Sequence, residues 1–163
     1  MFNYTASTGP GGTASNTLTV TVVAAGLTYV GPTAGSSTIT GPSGKSPVLD
    51  GGAGHLTLVA TNGATVLIGG PGDTLTGGKG ADTYVFMGDF GNNKIMNYNS
   101  AKDVIELSKA DFGTNPAALA QDATQAPGRP DTVITDPINH DKITLAGVSL
   151  SSLHFDASHF LLA

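Results

Sequence analysis

The chain of 163 residues contains no cysteine, which rules out a disulfide framework and any zinc site built on thiolates. Positive charge is scarce as well, with 7 Lys and Arg in total and a formal net charge of −5. Without a basic cluster to neutralise phosphates, the chain is not expected to bind nucleic acid, and it offers no basic face to a membrane. No apolar run approaches the ~20 residues that span a bilayer, so membrane insertion is not expected. The N-terminus also lacks the basic segment and apolar core of a cleavable export signal. Glutamate is nearly missing, Glu106 standing against eleven aspartates. Aspartate forms turns and is a short-reach, hard oxygen ligand, so this bias points to loops that handle oxygen chemistry, or more plainly to a high content of turns.

What the chain has is glycine, 23 residues of it, beside a hydrophobic fraction of 39%. That mixture suits many tight turns around a modest core better than it suits helices. From about Leu27 the bulky residues fall at Ile39, Leu49, Leu58, Leu67, Leu75 and Tyr84, with gaps of ten, nine, nine, eight and nine. Between them lie the turns Gly41-Pro42-Ser43-Gly44, Gly51-Gly52-Ala53-Gly54, Asn62-Gly63, Gly69-Gly70-Pro71-Gly72 and Gly77-Gly78-Lys79-Gly80. A unit of nine residues with one inward side chain cannot bury that side chain alone. The core must come from stacking, which predicts a solenoid.

The stretch Gly77-Gly78-Lys79-Gly80-Ala81-Asp82-Thr83-Tyr84-Val85 fits G-G-x-G-x-D-x-U-x at every defined position, with Tyr84 as the bulky U. It resembles the calcium-binding nonapeptide of the repeats-in-toxin, or hemolysin-type, proteins. The resemblance covers roughly residues 31–163, is most specific over 69–107, and extends to the C-terminal domains of serralysin-type proteases. It implies an all-β fold: a parallel β-roll, or two-sided solenoid, with a C-terminal cap of strands and one short helix. The expected organisation is a hairpin remnant of a sandwich-like domain over 1–26, the roll over 27–107, and the cap over 108–163. In the cap, Asn115 to Gln121 carries an N-cap and a proline suited to the first helical position, and strands are expected at 131–135 and 142–145.

One coil takes two nonads, about eighteen residues, so turns about eighteen apart share an edge. Calcium needs six to eight oxygens, more than one turn supplies, and each ion should therefore bridge stacked turns. On one edge Asp73 and Asp89, with carbonyls near Gly70 and Gly72, are the candidate ligands. On the other they are Asp82 and Asp103, with carbonyls near Gly78 and Gly80, and this pair matches the family positions best. The chain also departs from the pattern. Ser37, His55 or Leu56, and Ala64 stand where the repeat would place aspartate, Asp73 comes one residue early, and Asp50 precedes its glycines. Calcium is therefore expected at one to three sites toward Asp73–Asp103, the alternative being a degenerate roll that binds none tightly.

Other motifs carry less. Gly41 to Ser46 lacks the first glycine of a phosphate loop and is followed by Pro47 where a helix should begin. His55, His140, His154 and His159 have no zinc-helix spacing. Asp136-Pro137 is read as a turn, although some relatives of the family cleave themselves at Asp-Pro, and Asn3-Tyr4-Thr5 is a glycosylation sequon by pattern only. The resemblance thus implies a non-enzymatic, calcium-binding C-terminal module cut from a longer, secreted or cell-surface bacterial protein. Its expected partners are calcium ions and the type I secretion apparatus, with an export signal near 148–163. The rival expectations are a structural spacer of a surface adhesin with little calcium dependence, and a domain that assists folding of a protease.

Overall fold

A computed structural model describes residues 28–30, 37–52, 54–125 and 127–163. The hairpin expected over 2–23 lies outside them. In chain order the strands are β1 (Thr28–Val30), β2 (Thr38–Thr40), β3 (Pro47–Asp50), β4 (Thr57–Val59), β5 (Val66–Ile68), β6 (Thr74–Thr76), β7 (Thr83–Phe86), β8 (Asn92–Met96) and β9 (Val104–Leu107). A single helical turn, α1 (Lys109–Phe112), and a 3-10 helix at Pro116–Gln121 follow, then β10 (Ala123–Gln125), β11 (Thr132–Thr135), β12 (Lys142–Leu145), a 3-10 turn at Leu150–Ser152, and β13 (Phe160–Leu162).

Segments such as Thr-Leu-Val, Val-Leu-Ile and Thr-Leu-Thr form strands because each offers one inward leucine between β-branched neighbours that suit a half-exposed pleat. In β4, β5 and β6 the middle residue is buried and both flanking residues are half-buried. Odd-numbered strands β1 to β9 pair in parallel in one sheet, even-numbered strands β2 to β8 in the other. This is a parallel β-roll, the fold that the nine-residue beat and the nonapeptide imply. Register stacks Leu49, Leu67, Tyr84, Ile105 and Phe160 in one sheet, and Ile39, Leu58, Leu75, Ile95 and Leu145 in the other. These two columns face each other and form the core.

The C-terminal residues close the roll without changing its sheets. β12 joins β8 in parallel, then β11 and β10 continue antiparallel, while β13 adds to β9. Under this cap the inward residues become aromatic: Phe90 lies 5.4 Å from Phe86 and 6.4 Å from Phe112, centroid to centroid. Asn115 does cap the expected helical segment, its Oδ1 accepting from Ala117 N at 3.1 Å. The segment is a 3-10 helix, however, with Ala118 N donating to Asn115 O and Asp122 N to Leu119 O. Six residues with one core anchor, Leu119, are too short for the nucleation cost of an α-helix to be recovered.

Candidate metal centre

Alternation between the sheets sorts the turns onto two edges. Turns 51–56, 69–73 and 87–91 lie on the first, and turns 41–46, 60–65, 77–82 and 97–103 on the second. This is the division that an eighteen-residue coil requires.

On the first edge, buried Asp73 works across three coils. Its Oδ1 accepts from Leu56 N of the preceding coil at 2.7 Å and its Oδ2 from Gly70 N of its own turn at 2.8 Å. Its own N–H donates to Asn93 Oδ1 in the next coil at 2.8 Å. The stacking is close enough to demand glycine: a Cβ on Gly54, already at φ 89, would lie 1.9 Å from Pro71 O. Burial pushes the Asp73 carboxyl above its ordinary range, the Leu56 and Gly70 N–H groups and His55 pull the other way, and the charge of Asp50 adds to the rise. Asp50 accepts from Gly52 N at 2.9 Å. Among the described residues no hydrogen bond engages the carbonyls of Gly70 and Gly72. Asp89 is exposed in the turn before β8, and the residue the structure hydrogen-bonds to Asp73 from that coil is Asn93.

On the second edge the structure brings Asp82 and Asp103 together, Asp82 N donating to Asp103 Oδ1 at 3.0 Å. Asp82 Oδ1 accepts from Thr65 N at 2.9 Å and its Oδ2 from Gly78 N at 2.7 Å, while Asp103 Oδ2 accepts from Asn99 N at 2.9 Å. Burial is again the main cause raising the Asp82 carboxyl, opposed by the Gly78 and Thr65 N–H groups. Nearby Asp103 adds to the rise and Lys102 opposes it. The Lys102 ammonium donates to Lys79 O at 2.5 Å and also to Gly80 O. Beneath the turn, the Tyr84 hydroxyl is buried with no hydrogen-bond partner among the described residues. Burial and then the charges of Asp103 and Asp82 hold that phenol well above the ordinary tyrosine range.

The two edges differ in their fitness for a calcium ion. The first carries the Asp50 and Asp73 carboxylates and, in the turn of Asp73, the Gly70 and Gly72 carbonyls, hard oxygens of the kind calcium takes. The second commits the Gly80 carbonyl to an ammonium. Among the described residues no three His, Asp or Glu side chains converge on a common point, so a cation would rest largely on carbonyls and water. Sequence reasoning missed Asn93 and Lys102. Both had a signal: Asn93 precedes Lys94, the register partner of Thr74, and Lys102 precedes Asp103 as Ala81 precedes Asp82.

No protein-family model matches the chain, and no curated protein does. Among solved structures it is similar to the extracellular lipase LipA from Serratia marcescens, at 27% identity over 87% of this chain and 20% of that one, with a TM-score of 0.45. The chain thus spans about a fifth of the length of that protein.

Proposed function

We propose that the chain is a calcium-responsive, non-catalytic β-roll module of a secreted or cell-surface protein of the repeats-in-toxin type, with its calcium held on the first edge. Asp50 and Asp73, with the carbonyls of Gly70 and Gly72, would hold the ion, which supplies a divalent charge between two stacked turns. The observation that carries this reading is the buried carboxylate of Asp73, held between two stacked turns by the Leu56 and Gly70 N–H groups. Among the described residues the one salt bridge is His159 with Asp156, so Asp73 has no ion-pair partner to offset its burial. An ionised carboxylate held out of water is costly unless a cation compensates it, and an ion that binds only the stacked turns stabilises them by linkage.

The biological reading follows from that coupling. In calcium-poor cytoplasm the first edge would be loose and the chain exportable by a type I apparatus, and millimolar extracellular calcium would then consolidate it. The apolar tail proposed to carry the export signal includes β13, whose Phe160 is fully buried against β9. A signal there would have to be read before this strand docks. Any toxin, adhesin or enzyme activity would reside in the rest of the longer protein. The competing spacer reading draws on the second edge, where the turns have hydrogen-bond partners and a cation of their own.

Circular dichroism melting of the chelator-stripped chain, with and without calcium, separates the two. The calcium-responsive module is expected to melt at markedly higher temperature with calcium, and Asp73→Asn to lose that gain. An unchanged melting temperature would favour the spacer.

A further inference from the structure

We propose that Lys102 is a tethered cation occupying, between turns 77–82 and 97–103, the place that calcium takes on the first edge. Its Nζ donates to the carbonyls of Lys79 and Gly80, in the turn that carries Asp82. Those carbonyls belong to the one nonapeptide that matches the repeat at every defined position. The same turn pair holds two buried carboxylates in contact through Asp82 N and Asp103 Oδ1. An ammonium has three donors and no acceptor, so it can satisfy several turn oxygens while bringing positive charge close to Asp82. It is half-buried, its aliphatic stem spanning from one turn to the next. A metal ion entering there would have to displace the ammonium from two carbonyls and then sit beside it, with like charges opposed.

The consequence is a roll with one metal-dependent edge and one that assembles without metal. The turn pair most like a calcium repeat by sequence is then the one that does not take calcium. This inference deepens the calcium reading and rests on it, in treating stacked turn carbonyls with paired aspartates as a cation site.

The test compares chains of these 163 residues carrying Asp73→Asn alone or with Lys102→Met, by calorimetric titration with calcium chloride and by melting in chelator and in calcium. The double variant is expected to take up one more calcium equivalent than its parent, and to melt lower by about 5 °C in chelator than in calcium. Adding Asp82→Asn should abolish the gain, and Lys102→Arg, which keeps the charge, should show none. A Lys102→Met chain that folds only with calcium supports the proposal equally. If it folds under neither condition, Lys102→Gln takes its place and is read in the same way. No additional calcium uptake over the parent overturns the proposal, whatever the melting temperature. Failure of the calcium reading would show instead as an absence of binding heat in the unsubstituted chain, which leaves the comparison between Lys102 and Met intact.

Discussion

The two edges of this roll share the same sheets and the same aspartate device, yet they solve the burial of negative charge differently. On the first edge Asp73 is held by the Leu56 and Gly70 N–H groups, with His55 drawing on its charge but no ion pair, whereas on the second the Lys102 ammonium sits on the carbonyls of the turn that carries Asp82. Backbone donors alone are enough to position a carboxylate. They do not neutralise it, and the difference between the edges is where that remaining charge goes.

The comparison breaks most violently through what the edges share. Leu67→Ala, at the centre of one core column and fully buried, is expected to cost about 3–5 kcal/mol. Denaturant unfolding should show that loss with and without calcium alike, because the core serves both edges. Asp82→Ala comes next. It strands the buried Thr65 N–H and the part-buried Gly78 N–H, an expected loss of about 2–4 kcal/mol. Calcium should not rescue it, since the ammonium remains on the carbonyls.

A smaller effect sharpens the comparison through pH. Burial raises the folded-state carboxyls of Asp73 and Asp82 above 3.8. Above that value, and below the raised ones, the folded chain holds more protons than the unfolded chain. Stability from these groups is therefore full below about 3.8 and is lost as pH rises through the folded values. Exposed Asp156, lowered by its hydrogen bond from His159, acts in the opposite sense, its contribution disappearing as the pH falls. Melting temperature in chelator should thus fall as pH rises above about 4, and calcium should flatten the part of that fall due to Asp73, leaving the part due to Asp82. The smallest effect is expected at Asp89, exposed in its turn, where Ala should change stability by less than about 0.5 kcal/mol and leave calcium uptake unaltered.

The roll itself was legible because its signal is periodic: one inward residue every nine, bracketed by glycine turns, leaves few architectures in which Ile39, Leu58 and Leu75 can all be buried. Pairing of Asp82 with Asp103 was legible for the same reason. Asp73 was harder, because the coil between Leu75 and Ile95 lengthens to twenty residues, and the register moves Asn93 rather than Asp89 to its neighbour. Lys102 was least visible. A lysine in a glycine-rich turn reads as solvated, and only the stacking of one turn on another reveals that its four-carbon stem reaches the carbonyls of the preceding coil. The helical segment at 116–121 was located by its cap and proline, but its 3-10 geometry was set by the short span available before β10.

Calorimetric titration of the chelator-stripped chain with calcium, set beside the same titration of Asp73→Asn and of Asp82→Asn, bears most directly on the central claim. Saturable binding heat that disappears with Asp73→Asn and survives Asp82→Asn is the expected result, placing calcium on the first edge. Binding that survives Asp73→Asn but is lost with Asp82→Asn, or no heat at all at millimolar calcium, would contradict it.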